Sequence, residues 1–242
     1  MSRKEVLFQY YYEHIRHNIV NFLKWLVLAV LTGLIVGGAS GIFAKCIGAA
    51  TAYRDAHIRI FLLLPFAGLL IVFLYQKLGS EDGGTNQVLA TIKSKDKIPF
   101  ISAPLIFLST LLTHLTGGSA GREGAALQIG GSLGNLLGKI VHLDDEDRHV
   151  LIMCGMSAAF AALFGTPMAA AVFSMEMVSV GVMYYSALVP CVMSALIGAH
   201  LASTFGVHAE KFTIVSIPSF SIGGAAGLRR CEGYRKSEAK RS

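Results

Sequence analysis

Trp25 to Ala44 is a run of 20 residues without a charged side chain, close to the ~20 that a helix needs to cross a hydrocarbon core of ~30 Å. Such a solvent offers the backbone no hydrogen bonds, so the segment must satisfy its own N–H and C=O groups, as a helix does. The run is not a signal peptide: its apolar part is too long for an h-region, no small-residue cleavage site stands out, and further apolar segments follow it. Of the 242 residues, 53% are hydrophobic and 15% charged, against roughly 25% charged in ordinary soluble proteins. The chain reads as an all-α polytopic membrane protein, multi-pass in a cell membrane and in contact with the lipid bilayer.

Charge is concentrated at the two ends. Residues 1–24 carry four basic and two acidic side chains and residues 228–242 six and two, so these two segments account for the whole formal charge of +6. The body between them is neutral, which argues against a nucleic-acid groove. Cys46, Cys154, Cys191 and Cys231 lie far apart in sequence without paired ligand spacing, so neither a metal site nor a disulfide framework is expected. No cofactor is implied.

Gly33, Gly37 and Gly41 recur at every fourth residue of the first apolar run, as do Gly130, Gly134 and Gly138 further on; each series puts a stripe on one helical face where another helix can approach closely. Helical segments are predicted over Ile58–Tyr75 with Pro65 inside, from Thr85 or Asn86 to the charged loop at Lys93–Lys97, and over Ile101–Thr116 and Glu123–Ile140. Others follow at His149–Leu163, Pro167–Val180 and Tyr184–Phe205. Asp144 to Asp147 favour the N-terminus of the helix that comes after them, and Pro167 suits a first turn.

Three breaks interrupt this pattern, at Gly83–Asn86, Gly117–Gly124 and Gly165–Pro167. Short helices that stop at Gly or Pro are the discontinuous helices of transporters, whose ends point at a substrate within the membrane. Their N-termini offer free N–H groups and about half a positive charge, suited to an anion. The second break also holds Arg122 and Glu123 side by side, and ionisable groups at bilayer depth survive only beside a cavity, a partner or an ion.

Gly121-Arg122-Glu123-Gly124 after Gly-Gly-Ser-Ala, with Gln-Ile-Gly-Gly-Ser downstream, resembles the GREG signature of the CLC anion channels and transporters. Gly83-Gly84-Thr85-Asn86 stands where that family has its first anion-binding loop, and Phe164-Gly165-Thr166-Pro167-Met168-Ala169 resembles a later motif that opens a half-helix. The resemblance implies an anion site at Gly83, Gly84, Thr85, Asn86, Gly121, Arg122 and Gly124. It implies that Glu123 gates that site, its carboxylate swinging aside when protonated, so that anion and proton compete. Gly165, Thr166, Pro167 and Glu176 would order the helix ends, with a direct proton role for Glu176 as the lesser reading. For Thr85 and Asn86, simple helix capping stays open beside anion binding.

Two departures point to a subtype. The serine of the chloride members' first loop is absent, and Met177 stands where many proton-coupled chloride members carry an inner proton-transfer glutamate. With Ala103-Pro104 and Leu112-Thr113-His114 ahead of the signature, the chain is similar to the bacterial fluoride-type branch, whose members export fluoride against protons. Fluoride or chloride and protons are therefore the expected partners, and a bacterial inner membrane the expected location.

CLC subunits contain two inverted repeats, and this chain corresponds to the first. The expected layout is a cytoplasmic segment over 1–24, a transmembrane repeat over 25–224 and a basic tail over 225–242 produced by a frameshift or truncation. Full-length relatives form homodimers through helices of both halves, an assembly not expected of one half. A truncated, nonfunctional or partner-dependent half-transporter is the alternative reading. Gly117-Gly118-Ser119-Ala120-Gly121 also matches the Gly-x-Ser-x-Gly nucleophile elbow of serine hydrolases, with Asp144 and His200 in order behind it. That motif needs a preceding strand, where this chain has a segment of helical character, so no enzyme is expected.

Overall fold

The helix that carries the first apolar run is far longer than a membrane is thick. In the computed structural model, which describes residues 3–78, 101–178 and 184–207, α1 runs unbroken over Arg3–Ala56, 54 residues or about 80 Å at ~1.5 Å per residue. It therefore passes straight through the boundary expected at Trp25. After a 3-10 turn at Ile58–Leu63 come α2 (Leu64–Leu78), α3 (Ser102–Leu115), α4 (Arg122–Ile140), α5 (Asp145–Phe164), α6 (Pro167–Val178) and α7 (Tyr185–Thr204). All regular structure among the described residues is helical. The helix expected from Thr85 or Asn86, and the tail 225–242, lie outside the described residues.

Prolines mark the starts. Pro65 is the second residue of α2 and Pro167 the first of α6, where a missing N–H costs no helical hydrogen bond. α5 begins at Asp145, four residues before the expected start, and takes Asp145, Glu146 and Asp147 into its first turn; their charges suit the positive end of the helix dipole. Gly165 then ends α5 in the left-handed region, φ 66°, with its N–H donating to Ala161 O at 2.8 Å, a C-cap conformation that glycine adopts without steric cost.

Four helices are long and apolar enough to cross a membrane, lying within His14–Ala56, Arg59–Leu78, Asp145–Phe164 and Tyr185–Thr204. α3 and α6, with 14 and 12 residues, reach only about 21 and 18 Å, short of the ~30 Å core. These are the discontinuous elements that the breaks predict.

α5 is the centre of the bundle and packs against α1, α4, α6 and α7. Inside the chain, 67% of its apolar window is buried, against 6% for α2, so α2 is the peripheral helix. Both glycine stripes are helix crossings. A β-carbon placed on Gly37 would lie 2.5 Å from Gly198 Cα of α7, and one on Gly33 would lie 2.9 Å from Ser194 O. On the other stripe, a β-carbon on Gly130 would meet Gly155 O of α5 at 2.5 Å, and one on Gly134 would meet Leu151 O at 2.6 Å.

Polar links complete the α5–α7 contact. Ser157 Oγ donates to Cys191 O and Ser194 Oγ to Cys154 O, each at 3.0 Å, around two buried free thiols whose Sγ atoms stand 3.8 Å apart. The two cysteines pack as expected of apolar residues, although their sequence separation hid that they are neighbours. Side-chain hydrogen bonds between membrane helices contribute about 0.6 kcal/mol on average. Ser194→Ala is accordingly expected to lower stability by about that amount and no more than ~1.7 kcal/mol, read as a small shift in a reversible unfolding titration in micelles.

Candidate functional site

The Gly117–Gly124 break is built by two helix ends. α3 closes at Thr116, whose Oγ1 donates back to Leu112 O at 2.9 Å. The chain then turns through Gly117 at φ 87°, and Gly118 N–H donates to Thr113 O at 2.8 Å. A β-carbon on Gly117 would sit 2.9 Å from the Phe61 ring, and its left-handed backbone disfavours other residues as well. After an extended Gly121 (φ −70°, ψ 127°), α4 opens at Arg122 with no side-chain cap. The first N–H groups of α4 thus point into the break without an intrahelical acceptor.

Arg122 and Glu123 are both exposed, in the first turn of α4. The glutamate folds back along its own helix end: Oε2 lies 3.6 Å from a β-carbon position on Gly121. Gly124 is half-buried, and from Ala125 to Ser132 the helix is wholly buried. The ion-bearing turn therefore sits where a packed helix emerges from the bundle. Arg54, at the end of α1, reaches the same place, its Cδ 3.5 Å from a β-carbon position on Gly117. Its Nη2 is tied to Asp55 Oδ1 at 2.7 Å, which offsets its charge.

The third break meets the second at one end of the bundle. Leu163, two residues before Gly165, packs on the cluster that holds Phe43, Ile47, Ala125 and Ile129, so the end of α5 adjoins the start of α4. α6 begins from there, with Gly165 and Thr166 exposed and Pro167 half-buried. Two helix N-termini, those of α4 and α6, thus open at the same end. Glu176 does not join them: it is exposed on the last turn of α6, about 13 Å along the axis from Pro167. Gly83, Gly84, Thr85 and Asn86 lie outside the described residues.

The serine-hydrolase alternative fails on geometry. Ser119 follows α3, a helix rather than the required strand, and Asp144 caps the far end of α4, 19 residues long or about 28 Å away. Sequence reasoning missed Arg54, together with the hydroxyls of Tyr75, Ser109 and Thr113 that line a groove reaching Ala120. The spacing of Ser109 and Thr113, four residues apart, signals a shared helical face; nothing in the sequence pairs that face with Tyr75.

A polytopic helical membrane protein with two half-helix N-termini at one end, one bearing adjacent Arg and Glu, is of the anion-handling transporter and channel class. The chain belongs to the voltage gated chloride channel family, CLC, whose pattern matches residues 67–228. It is 40% identical over 193 residues to the chloride/fluoride channel protein of Pseudomonas syringae pv. tomato, which covers 79% of this chain and 43% of that relative. The H(+)/Cl(-) exchange transporter ClcA of Cronobacter sakazakii is 31% identical over 170 residues, 64% of this chain and 36% of its own. The crystal structure of a CLC-type fluoride/proton antiporter superposes with a TM-score of 0.76 at 33% identity, over 83% of this chain and 51% of that one. The chain thus spans about half the length, or less, of these relatives. The family is one of transporters and channels, not of enzymes.

Proposed function

We propose that this chain is the first repeat of a CLC-type anion transporter that moves fluoride, or chloride, against protons across a bacterial inner membrane, with Glu123 as its gate. The observation that carries this reading is the Gly121–Gly124 turn, where Arg122 and Glu123 stand at an uncapped helix N-terminus beside the start of α6. Uncapped N–H groups and the helix dipole attract an anion. A carboxylate in the same turn competes for that place, and protonation removes its charge and its claim on the donors. Chloride and fluoride appear in the names of the relatives. Fluoride is favoured by the departures from the chloride pattern in the first loop and at Met177, since a small, strongly hydrated ion needs close N–H and amide donors. Gly83, Gly84, Thr85 and Asn86 would supply those donors, and Glu176 a structural role at the end of α6.

The test is ion release from liposomes that contain this chain, with fluoride and chloride compared and proton uptake recorded together. Fluoride release faster than chloride release, with matching proton uptake, is the expected result. Chloride preference would overturn the fluoride assignment.

A second reading follows from the 43–51% coverage of relatives: the chain works only with a second repeat as its partner. Release that appears only on co-reconstitution with the C-terminal repeat of a relative would establish it.

A further inference from the structure

Between α2 and α3 an open groove of about 490 Å³ runs to Ala120, in the same break as Glu123. Its polar wall comes from Tyr75 and Gln76 on α2 and from Ser109, Thr110 and Thr113 on α3. The direction of the hydrogen bonds in that wall is informative. Thr113 Oγ1 donates to Ser109 O at 2.7 Å, and Ser109 Oγ donates to Ile106 O at 3.1 Å. A hydroxyl has one hydrogen, so both are committed to the helix backbone, and Ser109 Oγ accepts in its 3.3 Å pair with Tyr75 Oη. Ser109 and Thr113 therefore present lone pairs, not hydrogens, to the groove.

An anion needs donors and finds none on these two oxygens. Water and hydronium are donors and fit them. Ser109 and Thr113 lie one turn apart, about 6 Å along the axis, a gap that one or two waters bridge, and water needs two to four polar partners to stay in such a place. The lone pairs add a partial negative character that raises the local concentration of cations. The helix N-termini of α4 and α6 are of opposite character, rich in N–H donors. Two routes of opposite polarity thus converge on one turn.

We propose that the α2–α3 groove is a hydrated proton route to Glu123, separate from the anion's approach over the N-termini of α4 and α6. Protons pass along its waters and end on the Glu123 carboxylate; no other bond changes. The proposal rests on the reading of Glu123 as a proton-dependent gate, and its test separates the two.

Thr113→Cys and Ser109→Cys are treated in liposomes, with reagent on both faces, with a cationic or an anionic methanethiosulfonate and with an apolar maleimide, the unsubstituted chain setting the background. Labelling by the cationic reagent about tenfold faster than by the anionic one is expected. Reaction with the maleimide alone, or equal rates for the two charged reagents, overturns the groove's hydration or its polarity, whether or not the chain transports. The second arm uses Thr113→Val and Tyr75→Phe, which keep shape and remove polar oxygens. Proton uptake is expected to fall several-fold while uncoupled anion release through Glu123→Gln, with and without these changes, stays the same. Unchanged proton uptake in a chain whose coupling Glu123→Gln abolishes overturns the route but leaves the gate; no proton uptake in the unsubstituted chain overturns both.

Discussion

Gly155→Val is expected to prevent the bundle from forming, with a loss of about 3 kcal/mol or more, the upper end of what overpacking costs. The reason is what the new side chain would meet. A β-carbon on Gly155 would fall inside contact distance of Gly130 O and lie 3.2 Å from Gly134 Cα. Both are backbone atoms of α4, and backbone cannot move aside as a flexible side chain does. The helices would have to part, yet α5 is also held on its other side, where Gly198 of α7 lies against Ala158; a β-carbon there would be 2.8 Å from Ala158 O. In a bilayer the association of helices depends on close packing, because lipid tails are as apolar as the side chains they replace. Gly48 and Gly68 supply the control. A β-carbon on either meets nothing within 4 Å, so Ala at these helical positions is expected to be neutral or stabilising by up to ~1 kcal/mol. The measurement is the folded fraction after extraction, by size exclusion and by unfolding in micelles. Equal folded fractions for Gly155→Val and Gly48→Ala would show that the α4–α5 crossing is not held by backbone contact.

How far such contacts can be read from sequence depends on repetition. Gly33, Gly37 and Gly41, and Gly130, Gly134 and Gly138, announce their faces because each series repeats at every fourth residue. Gly155 and Gly198, which receive those stripes, stand alone among alanines and serines of α5 and α7, and a single glycine carries no face. The helix positions were legible from apolar runs bounded by Gly and Pro; the ends of α3, α4 and α7 lie within a residue or so of expectation. The start of α1 was not. Residues 3–24 mix charged, aromatic and apolar side chains, so no apolar run marks them, although the helix continues through them. α5 began early for a related reason: its acidic first turn reads as loop by polarity and as helix by its fit to the dipole. In the candidate site, Arg122, Glu123 and the glycines around them were legible as a local motif. Arg54 and Tyr75 were not, since chain folding alone brings α1 and α2 to the break.

Replacing Glu123 with glutamine is expected to abolish proton coupling and leave the fold intact. Glutamine keeps the size and the hydrogen-bonding carbonyl of the side chain but cannot take up or release a proton. Glu123 is exposed in the first turn of α4, outside the buried stretch that begins at Ala125, so the structural loss is confined to its favourable interaction with the helix dipole, about 0.3–1 kcal/mol. A positioned proton-transfer group contributes about 10² to 10⁴ in rate. Proton uptake driven by an anion gradient is therefore expected to fall about a hundredfold or more, to the leak of empty liposomes, and anion release to lose its dependence on pH. Arg122→Gln separates the two halves of the site: it removes a fixed cation and keeps the titrating group, so anion release should slow while the ratio of protons to anions holds. The opposite result, a normal coupling ratio in Glu123→Gln, would mean that the proton is carried elsewhere and that Glu123 is only a charge at the end of a helix.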